Sequence, residues 1–289
     1  MTEFRPKTLA RAPSQPRRRP ANWTPFEVVI PEQAKSEPES VMSVREITSR
    51  QINVVFQPIV DLRSGRVIAQ EALARCSLPG LESPTALFTR AEREGACGWL
   101  GRAVREVAFA RANGRALFVN VHPRELSSRW LVRPDDPLYF HDSDVFLEIT
   151  EATAFDYFEL CMNVLKEVCG RSGAHLVVDD LGAGYSNLTR ILELEPRVAK
   201  LDRSLVTRLD EDRRKQVLVR KLIELCNELG CRVVCEGIET IGELSAARDC
   251  GAQYAQGYLL ARPADPPPDV VWPPESAEKK PQKVTASPG

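Results

Sequence analysis

A regular alternation of predicted strands and helices, from residue 43 to residue 260, is the feature that most restricts the fold of this chain. Short runs rich in Val, Ile and Leu recur between longer segments with helical periodicity, and this order is typical of a parallel sheet covered by helices. Eight predicted strands favour closure into a (β/α)8 barrel, which takes about 250 residues. Strands are predicted at residues 53–60, 67–75, 116–121, 145–150, 176–178, 198–201, 231–235 and 253–260, and helices at residues 43–50, 84–113 (with a break near 95–98), 157–169, 187–194, 213–229 and 241–250.

The first two predicted strands depart from the all-parallel form. Residues 61–66 (DLRSGR) join them and have the composition of a hairpin turn. Strands joined by so short a connection lie antiparallel to each other. We therefore predict an α/β fold, a modified TIM (β/α)8 barrel with an antiparallel first strand.

The two ends of the chain differ from the segment between them. Residues 1–42 are rich in Pro, Arg, Ser and Glu without hydrophobic periodicity, which predicts a disordered arm that is basic over its first part. Residues 264–289 are rich in Pro and predict a second disordered tail. The basic arm is either a solvated tail or a docking peptide for a partner or an anionic surface. The folded domain is predicted at residues 43–263.

Composition excludes several classes of protein. The net charge of −1 gives no indication of a surface for DNA or RNA. No run of about 18 apolar residues predicts a membrane span, and the N-terminus lacks the apolar segment of a secretory signal. The 8 cysteines form no CxxC pair and lie mostly in apolar segments, which is typical of reduced thiols in a cytosolic protein. We therefore expect a cytoplasmic location.

The predicted strand at residues 176–178 runs directly into two adjacent carboxylates, Asp179 and Asp180. Its Leu-Val-Val sequence is typical of a strand buried on both faces. Because unpaired buried carboxylates are costly, a divalent cation is the favoured partner. Gly182 and Gly184 permit the tight loop that such a site needs. The alternative is a strand-end turn in which an Asp caps the next helix.

Polar or charged side chains lie at or near the end of each predicted strand from the second onward. In a barrel these ends meet at one rim, where the active site lies. Caps, ion pairs and strand edges are alternative explanations for each residue alone. Since carboxylates and lysines are rarely buried unless paired, their convergence predicts a shared partner. The residues are Glu71, Asn120, Glu148, Asp179, Asp180, Lys200, Glu236 and Gln256.

These groups indicate the chemistry of the rim. Carboxylate and amide oxygens favour Mg²⁺, Mn²⁺ or Ca²⁺ over Zn²⁺. The three histidines do not have the spacing of a zinc site, although the first is within reach of the rim; they are His122, His141 and His175. Two cations about 3.5–4 Å apart would activate a water and stabilise the leaving oxygen of an in-line displacement. Lys200 would orient or deprotonate that water, or stabilise phosphoryl charge. The residues alone predict a metal-dependent barrel that cleaves a phosphoryl or acyl group.

An ordered series of motifs runs through about residues 45–263. It begins with residues 56–61 (FQPIVD) and Glu71-Ala72-Leu73-Ala74-Arg75, and continues with residues 119–121 (VNV), 147–151 (LEITE), 179–186 (DDLGAGYS), 200–202 (KLD), 236–239 (EGIE), 256–258 (QGY) and 262–263 (RP). The series resembles the EAL domains, the cyclic di-GMP phosphodiesterases of bacterial signalling. So many motifs in one order make the resemblance far more specific than the three-letter signature alone.

The resemblance implies hydrolysis of one phosphodiester bond of cyclic di-GMP, which gives linear pGpG, with two Mg²⁺ or Mn²⁺ ions per site. It also implies the antiparallel first strand. Lys200 would lie beside the attacking water, and Glu151 would brace the Asp-Asp loop. The implied catalytic residues are Glu71, Lys200, Glu236 and Glu151; the metal ligands are Glu71, Asn120, Glu148, Asp179, Asp180 and Glu236; and the substrate contacts are Gln57, Leu73, Arg75, Gln256, Arg262 and Pro263.

The chain departs from the family pattern at a few positions, none of which removes a metal ligand. Cys76 replaces a usual Trp, Leu181 a Phe, Ala183 a frequent Thr, and Asn187 and His122 a frequent Ser. Three functions stay open: an active phosphodiesterase, a cyclic di-GMP receptor that signals to a protein partner through the arm or the tail, and a scaffold that binds no nucleotide. A homodimer is implied by the resemblance alone.

Overall fold

The computed structural model describes residues 42–127, 130–150, 158–183 and 188–272 of the 289-residue chain. Its eight strands close into a barrel in chain order, with the first strand beside the last. This confirms the predicted barrel. The strands are β1 (Ile52–Asp61), β2 (Val67–Cys76), β3 (Leu117–Asn120), β4 (Val145–Thr150), β5 (His175–Leu181), β6 (Val198–Leu201), β7 (Arg232–Cys235) and β8 (Tyr254–Ala255).

Helices follow most of the strands and cover the outside of the barrel. They are α1 (Pro84–Arg93), α2 (Cys97–Arg111), α3 (Pro123–Ser127), α4 (Phe158–Ser172), α5 (Thr189–Leu194), α6 (Arg203–Val206), α7 (Arg213–Glu228) and α8 (Ile241–Asp249), with 3₁₀ turns at Val44–Glu46 and Pro137–Phe140. In the described part of the chain, none of these helices is both long and apolar enough to cross a bilayer.

Strand β1 is antiparallel to both of its neighbours, β2 and β8, whereas the pairs from β2 to β8 are parallel. The hairpin between β1 and β2 is held by Asp61, whose carboxylate accepts hydrogen bonds from the Ser64 amide (2.7 Å) and the Ser64 hydroxyl (2.7 Å). Gly65 has a φ of 72°, and a Cβ there would overlap the Trp272 indole. The predicted antiparallel first strand is therefore confirmed.

The barrel interior is apolar directly below the rim. Side chains alternate between the two faces of a strand, so residues two apart lie on the same face. One buried apolar cluster contains a residue two positions from a polar rim residue on each of six strands. The pairs of apolar and rim residues are Ile59 and Gln57, Ala69 and Glu71, Phe118 and Asn120, Val177 and Asp179, Val198 and Lys200, and Val234 and Glu236.

Two details differ from the sequence predictions. The helix predicted at residues 43–50 is a single 3₁₀ turn, which begins with a capping box of Ser43 and Glu46 and ends at Ile47, where the backbone is extended. The last strand has two residues rather than eight, because the chain turns at Gly257, whose carbonyl accepts hydrogen bonds from the Leu260 (3.1 Å) and Ala261 (3.1 Å) amides. The structure describes the Pro-rich segment from residue 264 as far as Trp272, whose ring lies against the hairpin, and the disordered tail at residues 264–289 stays a prediction.

Candidate metal centre

Strand register brings the first three rim residues side by side. Asn120 on β3 is opposite Glu148 on β4, and Glu71 on β2 is opposite Gln57 on β1. The Asn120 amide donates to Glu148 Oε2 (3.0 Å) and to Glu71 Oε1 (3.4 Å). Glu71 and Glu148 are buried. The pairing of β2, β3 and β4 is therefore sufficient to place residues that are far apart in sequence within one hydrogen-bonded group.

Lys200 lies at the centre of the acidic groups. Its Nζ is 2.7 Å from both Glu148 Oε1 and Glu236 Oε1, and 3.3 Å from both Glu71 Oε2 and Asp179 Oδ1. The side chain is 1% exposed. We call Lys200 and these four carboxylates the Lys200 cluster. An ammonium has three donors, so it does not satisfy four carboxylates, whose oxygens accept further bonds.

Two glutamine amides complete the side of the cluster that faces β1. The Gln256 amide donates to Glu71 Oε2 (2.6 Å) and to Gln57 Oε1 (3.1 Å). Gln57 in turn donates to the Ala261 carbonyl (3.2 Å), which fixes its orientation. Among the described residues, no hydrogen-bond partner meets the buried Gln256 Oε1. This leaves an amide oxygen at the rim that is available to a cation or a water.

The electrostatics of the cluster reflect an excess of negative charge. Burial, together with the nearby Glu71, raises the pKa of Glu148 well above its usual value. Burial alone would lower the pKa of Lys200, but the surrounding carboxylates outweigh it and hold the pKa well above the usual value. Glu236 also has a raised pKa, mainly through burial. Burial alone would raise the pKa of Glu71, but Lys200 and the Gln256 amide outweigh it and lower that pKa. Glu148 and Glu236 therefore resist ionisation beside an ionised Glu71, and such a group can gain from added positive charge.

A second acidic group adjoins the cluster at the end of β5. Asp179, Asp180 and Glu236 can bring one ligand oxygen each within 4.8 Å of one another. Asp180 has a φ of 58°, so the strand turns at this residue and both aspartates reach one site. Burial and the neighbouring Asp179 raise the pKa of Asp180 to about 6. The donors are hard oxygens, which fit Mg²⁺, Mn²⁺ or Ca²⁺.

Two cavities flank the rim and share Glu71 and Leu73. The larger, about 360 Å³, lies between the rim and helices α1 and α2. The smaller, about 220 Å³, contains Gln57, Glu236 and Gln256. Leu73 therefore lies at the ridge between two spaces next to the same carboxylate.

The remaining predicted substrate contacts lie in different places. Arg75 donates to the Ala74 carbonyl (2.8 Å) and is not among the side chains that line the two cavities. Arg262 lies over the Tyr258 ring at 4.3 Å, and Pro263 follows it, partly buried. Glu151 is outside the described residues. The structure thus gathers the acids and glutamines, whereas Arg75 bonds to its own strand and Arg262 lies on Tyr258, which lines the smaller cavity.

Three further residues to which the sequence analysis gave no role line the smaller cavity: Arg203, Glu239 and Tyr258. Arg203 Nη2 is 3.1 Å from Glu239 Oε1. Each follows a predicted rim residue by two or three positions: Arg203 begins α6 after β6, and Glu239 and Tyr258 lie in the loops after β7 and β8. Because loops after barrel strands surround the active site, proximity in sequence was the signal that could have found them.

The family model of the EAL domain matches residues 42–263 of this chain. The cyclic di-GMP phosphodiesterase RocR of Pseudomonas aeruginosa is 31% identical over 233 residues, which cover 76% of this chain and 59% of RocR. The cyclic di-GMP phosphodiesterase PdeR of Escherichia coli is 30% identical over 232 residues, which cover 76% of this chain and 35% of PdeR. The chain therefore spans less than two thirds of either relative.

Solved structures have the same barrel. BlrP1 of Klebsiella pneumoniae, in its manganese and cyclic di-GMP complex at pH 9.0, has a TM-score of 0.65 at 30% identity, covering 74% of this chain and 56% of BlrP1. The phosphodiesterase PaMucR in its c-di-GMP complex has a TM-score of 0.65 at 27% identity, covering 74% of this chain and 92% of that one. With its closed barrel and a family match over most of its length, this chain belongs to the EAL domain family.

Proposed function

We propose that this protein hydrolyses cyclic di-GMP to linear pGpG with Mg²⁺ or Mn²⁺. The observation that carries the proposal is the Lys200 cluster, in which four carboxylates surround one ammonium at the barrel rim. Such an excess of buried acid is costly unless it binds cations. The names of the relatives, two of them cyclic di-GMP phosphodiesterases, support a diester of this class as the substrate.

The proposed metal ligands divide into two groups that share the rim. Glu71, Asn120, Glu148 and Asp179 would hold one ion, and Asp180 with Glu236 would hold the second. Support comes from the hydrogen bonds of Asn120 to two acids and from the proximity of Asp179, Asp180 and Glu236. When bound, the ions would acidify a water and offset charge on the phosphoryl oxygens.

The proposed catalytic residues act on the water and on the leaving group. Lys200, held between Glu148 and Glu236, would donate hydrogen bonds that orient the water or stabilise phosphoryl charge. Gln256 would hold the water through its unpartnered Oε1. Glu71 and Glu236 take part as ligands, and Glu151 is proposed to brace the loop after β5. Gln57, Leu73, Arg75, Arg262 and Pro263 are proposed to contact the dinucleotide.

A cyclic di-GMP receptor without turnover is the second candidate. Leu181, in place of the Phe that the family pattern has, is fully buried in the core next to α5 and α6. A changed loop after Asp180 would alter the second metal position while it leaves the ligands of the first in place. In that case the basic arm or the Pro-rich tail would transmit the signal to a protein partner.

One assay separates these candidates. The full chain is incubated with cyclic di-GMP and Mg²⁺ or Mn²⁺, and pGpG is followed by chromatography. Product that disappears in Glu71→Ala supports the enzyme, because this change removes a carboxylate of the Lys200 cluster. Binding without product supports the receptor. A protein that neither binds nor cleaves cyclic di-GMP contradicts both.

Cellular location and assembly are further parts of the proposal. A cytoplasmic location is supported by the cysteines, all eight of which are free and seven of them buried, as in a reducing compartment. A homodimer is supported by Leu218 and Leu225 of α7 and by Leu229 directly after it, which are exposed and spaced to lie on one face of the helix. Basic residues begin this helix and Glu228 ends it, so an antiparallel pair would oppose unlike charges. Sedimentation of the wild type and of Leu225→Lys tests this: a wild-type monomer would contradict it.

A further inference from the structure

Two of the eight cysteines meet where α7 ends. Cys226 lies in the last turn of the helix, and Cys231 directly precedes β7. Both are free thiols, and both are buried, at 0% and 1% exposure, in one apolar cluster. Neither has a part in the proposed hydrolysis. Two thiols in contact are a candidate for redox chemistry, whereas a single buried thiol is inert packing.

The end of the helix holds the two residues together through the backbone. Gly230 has a φ of 79°, and its amide donates to the Asn227 carbonyl (3.0 Å). The Cys231 amide donates to the Cys226 carbonyl (2.8 Å). These bonds define a Schellman motif, in which the side chains of the residues joined by the second bond pack against each other. A disulfide needs Cα atoms about 4.4–6.8 Å apart, a spacing that such a direct backbone bond favours.

The two thiols also affect each other's ionisation. A hydrogen bond between them lowers the pKa of Cys226 and raises the pKa of Cys231. Burial has the opposite result at other cysteines, since it raises the pKa of Cys97 and Cys169 to about 11 and that of Cys235 to about 12. Because the thiolate is the reactive form, Cys226 is the attacking sulfur of the pair and Cys231 is its partner.

A small oxidant can reach the pair through the end of the helix. The four residues between the two cysteines, 227–230, are all exposed, so the sulfurs lie one layer below the solvent. Helix ends fray, and such local openings have the lowest free energies in a folded protein. The sulfurs therefore become accessible without unfolding of the barrel.

We propose that Cys226 and Cys231 form a redox-active dithiol, which a peroxide converts to an intramolecular disulfide. The Cys226 thiolate attacks one peroxide oxygen and breaks the O–O bond, which gives a sulfenic acid and a hydroxide that takes up the thiol proton as water. The Cys231 sulfur then attacks the sulfenic sulfur, and the second water leaves with the Cys231 proton. Two thiols and one hydrogen peroxide thus give one disulfide and two waters. This chemistry is independent of the proposed function, and in a reducing compartment the pair stays reduced until a peroxide appears.

The sequence permits a direct measurement of this bond. Cleavage after Lys and Arg releases residues 222–232 as one peptide, which contains both cysteines and none of the others. The folded full chain is treated with hydrogen peroxide, and its remaining thiols are alkylated in denaturant before digestion and mass spectrometry. The variants are Cys226→Ala and Cys231→Ala. Cys250→Ala, which removes another buried thiol of the same apolar cluster, is the matched control.

In the wild type and in Cys250→Ala, the peptide is expected to escape alkylation and to be lighter by two hydrogen atoms. Oxidation of the other cysteines should be slower by about tenfold or more, the effect of one pKa unit on the thiolate fraction. Cys231→Ala should accumulate a sulfenic acid at Cys226 that dimedone traps, and Cys226→Ala should keep Cys231 as a thiol. The oxidised wild type should melt no lower than the reduced protein, because the bond fits the native backbone.

The wild-type peptide decides the proposal even if the alanine variants do not fold. A peptide that stays a dithiol overturns it, and so does a disulfide from either residue to a third cysteine. A lower melting temperature of the oxidised protein also overturns it, because the bond would then strain the helix end. A sulfenic acid at Cys231 in Cys226→Ala would overturn the assignment of Cys226 as the attacking sulfur.

Discussion

Two buried cations in this barrel have acidic partners, and they use them in opposite ways. Arg105, on α2, lies between Glu125 and Asp136, and all three side chains are at most 1% exposed. Lys200, on β6, lies among four carboxylates at the rim. Both groups are buried ion clusters on the same sheet-and-helix framework. They differ in whether the cation satisfies its partners.

Arg105 satisfies both of its partners. Its guanidinium donates to Asp136 through two nitrogens (3.1 and 2.9 Å) and to Glu125 Oε2 (2.7 Å). The remaining Glu125 oxygen accepts from the His122 amide (3.0 Å), and Asp136 also accepts from the Leu138 amide (3.0 Å). The planar fork of an arginine is suited to such bidentate contacts. We call these three residues the Arg105 cluster, and its role is to tie α2 to the loops after β3.

Lys200 leaves its partners incompletely satisfied. One ammonium meets four carboxylates, whereas the Arg105 guanidinium meets two. Burial raises the pKa of Glu125 as it raises that of Glu148, so the number of acids for each cation, and not a raised pKa, separates the two clusters. A buried group with an unmet charge is unfavourable for stability alone. The comparison teaches that the balance of charge, rather than burial, distinguishes an ion cluster that holds the fold from one that can bind cations.

The largest expected effect is on turnover. Asp179→Asn keeps the shape of the side chain but removes one charge from the Lys200 cluster. We expect turnover of cyclic di-GMP to fall by more than about a thousandfold, or about 4 kcal/mol in barrier. The melting temperature should stay the same or rise, because repulsion among the acids decreases.

The same substitution in the Arg105 cluster is the control. Asp136→Asn should cost about 3 kcal/mol of stability, because it removes one charge of a satisfied buried ion pair. Turnover per folded molecule should stay near that of wild type. If Asp179→Asn retained turnover within about tenfold, the assignment of this residue as a metal ligand would be wrong.

The next effect is on stability and on its response to metal. Lys200→Met and Arg105→Met should each cost about 3–5 kcal/mol in the metal-free protein, since each leaves buried carboxylates without their cation. Mn²⁺ should restore much of the loss in Lys200→Met by binding the folded state. Mn²⁺ should stabilise Arg105→Met only as much as it stabilises the wild type, so the difference in stability between those two proteins should stay unchanged. Thermal unfolding of both variants and of the wild type, with chelator and with Mn²⁺, measures these changes. Equal recovery of stability in the two variants would contradict the distinction between the two clusters.

A smaller effect concerns the packing that holds the Arg105 cluster. Gly101→Ala should destabilise the protein by about 1–3 kcal/mol, because its Cβ would overlap the Glu125 carboxylate. Gly170→Ala in α4 is the matched control: the position is exposed and a Cβ meets nothing within 4 Å. That change should stabilise by about 0.5–1 kcal/mol. Chemical denaturation of both variants measures the sign of the change in the free energy of unfolding. A Gly101→Ala variant as stable as the wild type would show that α2 can shift.

The sequence predicted the Lys200 cluster and missed the Arg105 cluster for a physical reason. The rim residues follow apolar strand segments, and parallel register fixes their meeting place, so strand order alone brings Glu71 and Lys200 together. Arg105, Glu125 and Asp136 lie on helices and a loop, where a polar residue is usually solvated. Their contact depends on the packing of α2, which strand periodicity does not encode.

The smallest expected effect is a pH dependence confined to the acidic rim. The pKa of Asp180 is about 6 in the folded protein, raised by burial and by Asp179 from the ordinary value of 3.8. Between these two values the folded state binds more protons than the unfolded state, so metal-free stability should fall as pH rises from about 4 to about 6. Melting temperatures in chelator should show this trend in the wild type and a weaker one in Asp180→Asn. Mn²⁺ should also weaken it, because a bound cation replaces the proton as the counter-charge. Identical slopes in wild type and Asp180→Asn would mean that Asp180 does not share in the excess charge, and the contrast with the Arg105 cluster would then rest on Glu71, Glu148, Asp179 and Glu236 alone.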